Sequence, residues 1–233
     1  MKLRIKLNKD GISFLILLGL FIVFSIFRFA SIDRAINRLE SVSGKELKEA
    51  TVRFEALEKH IPQVSRYISL VKELSAVGKT LTPTEIVEIA QIILTECVLN
   101  EKIGLTPDII LAIMEKESNF DPTAISSAKA YGIMQILSTT FNDHAESLGY
   151  SRFTLDLAHN PVVNTQVGIR ELVKLRKYWL ENGVDNWKIT LSSYYWGVRN
   201  TWHLLSGEKT TPSLSYGEDV LKRAEKYKNK GIL

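Results

Sequence analysis

The chain has 233 residues, 45% of them hydrophobic, with few glycines and prolines and a formal net charge of +4. That is enough for one globular domain with appendages, and the excess charge is too small, with no basic stretch interleaved with aromatics, to point to nucleic acid. The single Cys97 excludes an internal disulfide, the four histidines (His60, His144, His159, His203) show no metal-ligand spacing, and there is no phosphate loop or nucleotide motif, so no cofactor or metal is expected.

In chain order, residues 1–11 carry Lys2, Arg4, Lys6 and Lys9, and an uncharged apolar run from Ile12 to Phe27 follows, bounded by Lys9-Asp10 and Arg28. A membrane-crossing helix needs about 20 residues; extending the run through a snorkelling Arg28 to Ala30 reaches that length. The alternative is a cleaved signal peptide, but Arg28 would lie three residues before a cut after Ala30, where a small residue is needed. The reading is a retained anchor over 12–30, with the basic segment in the cytoplasm and the remainder exported.

Residues 31–78 read as a helical spacer. Leu47, Ala50, Phe54, Leu57, Ile61, Val64, Ile68 and Val71 recur at alternating intervals of three and four, with Gly44 before them and Pro62 interrupting. Two or more short helices follow from this, able either to self-associate with a second copy or to fold back. Fully helical, the segment would reach roughly 70 Å.

The rest, 79–233, predicts a mainly α domain. Thr82-Pro83-Thr84-Glu85 is a capping box with proline at the first helical position, opening a helix to about Val98. Thr106-Pro107-Asp108 opens another, in which Ile109, Ile110, Ile113 and Met114 form an apolar stripe. Glu117 continues that stripe, while Glu115 and Lys116 are free to face water. A carboxyl on an apolar face is harder to ionise, which suits a general acid. Asp121-Pro122 ends the helix, with Asp121 expected to cap the next segment. The Asp121–Tyr131 loop is the only obvious room for a small hairpin. Asn160-Pro161 opens a long helix past Trp179 that stops at Asn182-Gly183. The basic cluster Lys222, Arg223, Lys226, Lys228 and Lys230 reads as the solvated face of a final helix.

Several blocks of this domain resemble the soluble lytic transglycosylase family. They are Glu117-Ser-Asn-Phe-Asp-Pro-x-Ala-x-Ser126, Ala130-Tyr-Gly-Ile-Met-Gln-Ile136, Asn160-Pro-x-x-Asn164-x-x-x-Gly168, Ser193-Tyr-Tyr-Trp-Gly197, and Tyr216 with Val220. The resemblance covers roughly residues 80 to 227 and implies a lysozyme-like helical fold. It implies peptidoglycan glycan strands as substrate and cleavage of the MurNAc-GlcNAc β-1,4 bond with a 1,6-anhydromuramoyl product. One glutamate, Glu117, then serves as acid and base. Ordinary glycosidases need two carboxylates, and no convincing second one is apparent: Asp121 precedes a proline, and Asp143, Glu146 and Asp156 lie in polar stretches.

The resemblance also carries over substrate contacts. Ser126 matches a serine near the substrate's N-acetyl group and Gln135 a glutamine lining the same groove; Met134 is counted with them among the substrate-binding residues but read as packing in the wall, not as a participant. Tyr194 matches the tyrosine whose hydroxyl hydrogen-bonds the catalytic glutamate. The family's usual Asn-Ala is Tyr195-Trp196 here, so Tyr195 is read either as a sugar-stacking platform or as core. The family's proline after Gln135 is Ser138. Together with the anchor, the resemblance places the domain on the periplasmic side of an inner membrane. Two alternatives stay open: a hydrolase resembling goose-type lysozyme, and a weakly active wall-binding or assembly module.

Overall fold

A computed structural model describes residues 61–207 and 213–231. The segment 1–30, read as basic tail and anchor, and most of the spacer lie outside the described residues. Among the described residues, no helix is long and apolar enough to cross a membrane. The architecture is mainly α: α1 (Ile61–Val77), α2 (Pro83–Leu99), α3 (Pro107–Ser118), α4 (Ser138–Ala145), α5 (Leu155–His159), α6 (Pro161–Glu181), α7 (Trp187–Trp196), α8 (Val198–Leu205) and α9 (Ser215–Lys228). Two short strands, β1 (Ala130–Tyr131) and β2 (Ile136–Leu137), pair antiparallel between α3 and α4.

The compact unit begins at Arg66, so residues 66–78 of the expected spacer belong to the domain. The reason is visible in α1, where Leu70 and Leu74 are fully buried and Val71 nearly so.

The helix starts follow the sequence signals. At α2 the Thr82 N–H donates to Glu85 Oε2 at 2.7 Å and the Glu85 N–H to Thr82 Oγ1 at 3.3 Å, closing the capping box. At α6 Asn160 Oδ1 accepts from the N–H groups of Val162 and Val163. Thr106 precedes α3 in an extended conformation, but its hydroxyl makes no capping bond; Pro107 sets the first turn instead.

Every residue of α3 from Pro107 to Met114 is buried. A helix apolar on all sides belongs at the centre of a domain; α9 packs on α3 most extensively and α2 also touches it, while α7 packs on α9, α6 on α7 and α2 on α6. On α6, Trp179 is fully buried and its indole N–H donates to Ser193 Oγ of α7 at 2.8 Å. Buried Arg176 donates to the Ile103 carbonyl, pairs with Asp185 and lies over the Trp187 ring at 4.7 Å. His144 is structural, its ring 2.8 Å from Glu171. Cys97 is half-buried, and burial, then Asp108 and Glu96, push its thiol up to about 12.

The hairpin is displaced from its expected place. Asp121 does cap the turn, its Oδ1 accepting from the Thr123 N–H at 2.8 Å, and an isolated bridge joins Ile125 to Tyr131. The paired strands, however, flank Gly132-Ile133-Met134-Gln135. Gly132 at φ 77° and Gln135 at φ 51° supply the left-handed turn. A Cβ at Gly132 would also lie 2.4 Å from Asn164 Nδ2, so only glycine fits. Asn164 is fully buried and holds this turn: Oδ1 accepts from the Met134 N–H at 2.8 Å, and Nδ2 donates to the Tyr131 and Ala158 carbonyls at 2.8 and 2.9 Å.

Candidate active site

Glu117 sits in the last turn of α3, and three successive side chains there are each engaged by α9. Arg223 and the Tyr227 hydroxyl bind Glu115, Asp219 pairs with Lys116, and the Tyr216 hydroxyl donates to Glu117 Oε1. Residues 216, 219, 223 and 227 fall on one face of a helix by their spacing of three and four. This corrects the expectation that Glu115 and Lys116 are free to face water: Glu115 is half-buried, and Lys116, though exposed, is paired. Arg223, read as part of a solvated face, is half-buried and bonded. The close approach of α9 to α7 depends on Gly217, where a Cβ would lie 2.2 Å from the Lys188 carbonyl oxygen. A bulkier residue would push Tyr216 away from α3.

Burial pushes the Glu117 carboxyl up from 4.5 to about 7; the bond from Tyr216 and the nearby Lys116 pull the other way and are outweighed. The neighbouring carboxylates differ. Lys116, with Arg223 adding to it, draws Asp219 below its usual range, while Glu115 and Asp121 are bonded as described. One acid of this group is poised near neutrality.

Glu117 binds its proton more tightly in the folded state than in the unfolded, so the stability this confers is complete below about pH 4.5 and is lost as pH rises to about 7. The change amounts to about 3 kcal/mol and is constant above that pH. Thermal melts across this range should therefore fall for the native chain by several degrees more than for Glu117→Gln. Parallel curves for the two chains would contradict the raised pKa.

The other expected site residues fall into two groups. Tyr194 and Tyr195 lie at the end of α7 beside Glu117 and Tyr216. Burial, then the charge of Glu117, pushes the Tyr194 phenol well up. Its hydroxyl, though, donates to the Met134 carbonyl at 2.9 Å and not to Glu117. The tyrosine bound to the acid is Tyr216, and the expected role of Tyr194 is corrected accordingly. Tyr195 is 56% exposed, which removes the core reading, and its ring stacks on Tyr216 with centroids 4.8 Å apart.

Met134 and Gln135 belong to the hairpin and Ser126 to the loop before it; the Ser118 hydroxyl joins the hairpin to the end of α3 by donating to the Ile133 carbonyl at 2.8 Å. Ser126 Oγ accepts from the Ala130 N–H at 3.0 Å, so its own proton remains to be donated. The Gln135 amide donates to the Ala124 and Gly132 carbonyls at 3.1 and 2.9 Å, leaving its oxygen as the group to meet a ligand. Met134 has no exposed surface, being packed under Gly168 of α6. It cannot touch a substrate in this structure: the reading as packing holds, and its place among the substrate-binding residues is corrected. Among the described residues, no group of three or more His, Cys, Asp or Glu is placed to hold a metal ion.

Fold and site thus define a helical domain whose central helix presents one sheltered, phenol-bound carboxylic acid. Residues 98–214 match the family model for the transglycosylase SLT domain, and the chain belongs to that family. It is 35% identical over 92 residues to membrane-bound lytic murein transglycosylase C of Shigella sonnei, an alignment covering 37% of this chain and 24% of that protein. To the protein of the same name from Salmonella arizonae it is 30% identical over 115 residues, covering 47% of this chain and 32% of the other. The chain therefore matches only about a quarter to a third of the length of these relatives. An X-ray structure of an inactive mutant of lytic transglycosylase Slt from Pseudomonas aeruginosa aligns with TM-score 0.47 and 22% identity, over 58% of this chain and 24% of that one. The matched region contains Glu117, Ser126, Gln135, Tyr194 and Tyr195 but stops short of Tyr216.

Proposed function

We propose that this domain is a peptidoglycan lytic transglycosylase that cleaves the MurNAc-GlcNAc β-1,4 bond with Glu117 as its only acid/base. The observation that carries this reading is Glu117 itself, a carboxyl held near pKa 7 by burial and oriented by the Tyr216 phenol. A group with that pKa is present in both protonation states at neutral pH, as a residue that must serve first as acid and then as base requires.

Glu117 protonates the glycosidic oxygen as the bond to the anomeric carbon breaks. The carboxylate left behind stays on the Tyr216 hydroxyl and takes the proton of the muramoyl 6-hydroxyl as that oxygen closes onto the anomeric carbon. A 1,6-anhydro ring forms, Glu117 is protonated again, and no water is consumed. The engagement of Glu115, Asp121 and Asp219 elsewhere supports a single-carboxylate route, because the two-carboxylate alternative needs a free partner. Ser126, the Gln135 oxygen and the open face of Tyr195 are the proposed substrate contacts.

The relatives are named as membrane-bound, and the apolar run from Ile12 to Phe27, extended to Ala30, suits an anchor that holds the domain on the periplasmic side of the inner membrane. Adding the purified chain to a peptidoglycan suspension tests the activity. The native chain should clear turbidity and Glu117→Gln should not; equal clearing by both would remove Glu117 from the mechanism, and clearing by neither would favour a wall-binding module.

A further inference from the structure

Tyr216 is poorly held by its own helix. It is the second residue of α9, in a first turn whose N–H groups lack intrahelical partners, and Gly217 beside it offers no side chain to brace the ring. The ring is held from α7 instead. Tyr195 lies against it nearly parallel, at 14° and 4.8 Å between centroids. Tyr195 is itself constrained by Trp196, the two rings lying at 85° with centroids 4.7 Å apart. Trp196 is anchored in turn, its indole N–H donating to the Ser213 carbonyl at 3.1 Å just before α9 begins. An unbroken mechanical series therefore runs from the segment preceding α9 through Trp196 and Tyr195 to Tyr216, and ends on Glu117 Oε1.

We propose that Tyr195 is a positioning residue for the acid: its ring clamps Tyr216 so that the phenol hydroxyl stays on Glu117 while the carboxyl gives up and recovers its proton. The inference rests on the reading of Glu117 as acid/base and adds a role for Tyr195 distinct from touching sugar. The two roles use different faces of one ring, since the face toward Tyr216 is covered and more than half of the residue remains open to solvent. A phenol that slips from the carboxylate leaves it unsupported in the step where its charge appears. Loss of the clamp should therefore act on turnover more than on binding.

The test compares Tyr195→Ala and Tyr195→Phe in the native and the Tyr216→Phe backgrounds. Tyr195→Ala should lower kcat about tenfold, any rise in KM reporting the separate sugar contact, and Tyr195→Phe, which keeps the ring, should recover most of the loss in kcat. In the Tyr216→Phe background, where no hydroxyl remains to be positioned, Tyr195→Ala should cost less than twofold further in kcat. A rise in KM at constant kcat, or an equal loss of kcat in both backgrounds, would overturn the proposal. A readout independent of catalysis is the proton NMR signal of the Tyr216 hydroxyl, identified by its absence in Tyr216→Phe. It should be slow to exchange in the native chain and in Tyr195→Phe, and lost to exchange in Tyr195→Ala. Its persistence in Tyr195→Ala would also overturn the clamp. A native chain that released no product from peptidoglycan would refute the enzymatic reading alone, and the hydroxyl signal would still decide the positioning role.

Discussion

Replacing Glu117 with glutamine is expected to slow release of muropeptides by about 10³-fold, the scale on which a positioned general acid contributes. The substitution keeps the shape of the side chain and leaves an amide oxygen to accept from Tyr216, so the hydrogen bond at Oε1 has a counterpart. What disappears is the ionisable proton. The same variant should be more stable than the native chain above neutral pH, by up to about 3 kcal/mol, because it no longer carries a charge in a place that resists ionisation. At about 2–4 °C per kcal/mol for a domain of this size, that is a rise in Tm of several degrees. Lost activity together with a higher melting point is the signature of an acid kept at the cost of stability. A Glu117→Gln chain that is inactive because it is unfolded would show the reverse.

The second large effect is expected where α6 holds the hairpin. Asn164→Ala should destabilise the domain by about 3–5 kcal/mol, since it leaves the Met134 N–H and the Tyr131 and Ala158 carbonyls without their buried partner. The melting temperature should fall by about 10 °C. The site should suffer with it, because the Met134 carbonyl is the acceptor for Tyr194 and the adjacent Gln135 is held at positive φ within the same turn. A loss of stability below about 1 kcal/mol would mean that water or a shifted backbone replaces the amide, and that the hairpin does not depend on α6 for its shape.

These two residues also mark how far the amino-acid order could be read. Glu117 was legible because its clue is local: it continues the apolar stripe of Ile110, Ile113 and Met114. The starts of α2 and α6 were legible for the same reason, their caps lying within three residues of the groups they satisfy. The hairpin was misplaced because its turn depends on Gln135 at positive φ, a conformation that glutamine rarely adopts and that contacts with Ala124 and Gly132 support here. The choice between Tyr194 and Tyr216 as the partner of the acid was not available locally either. Both tyrosines lie close enough for the charge of Glu117 to raise their pKa values, and only the packing of α9 on α3 decides which hydroxyl reaches the carboxylate. The pattern Tyr216, Asp219, Arg223, Tyr227 was the available signal, a polar face on the last helix matching the polar end of α3.

The central claim is that Glu117 gives a proton to the leaving sugar and then takes one from the muramoyl 6-hydroxyl. Mass spectrometry of the fragments released from purified peptidoglycan tests it most directly. The native chain should release fragments that end in 1,6-anhydromuramoyl residues, each lighter by one water than its reducing counterpart, and Glu117→Gln should release none of them. Fragments ending in reducing sugars would show that water, and not the substrate's own hydroxyl, attacks the anomeric carbon, and would contradict it.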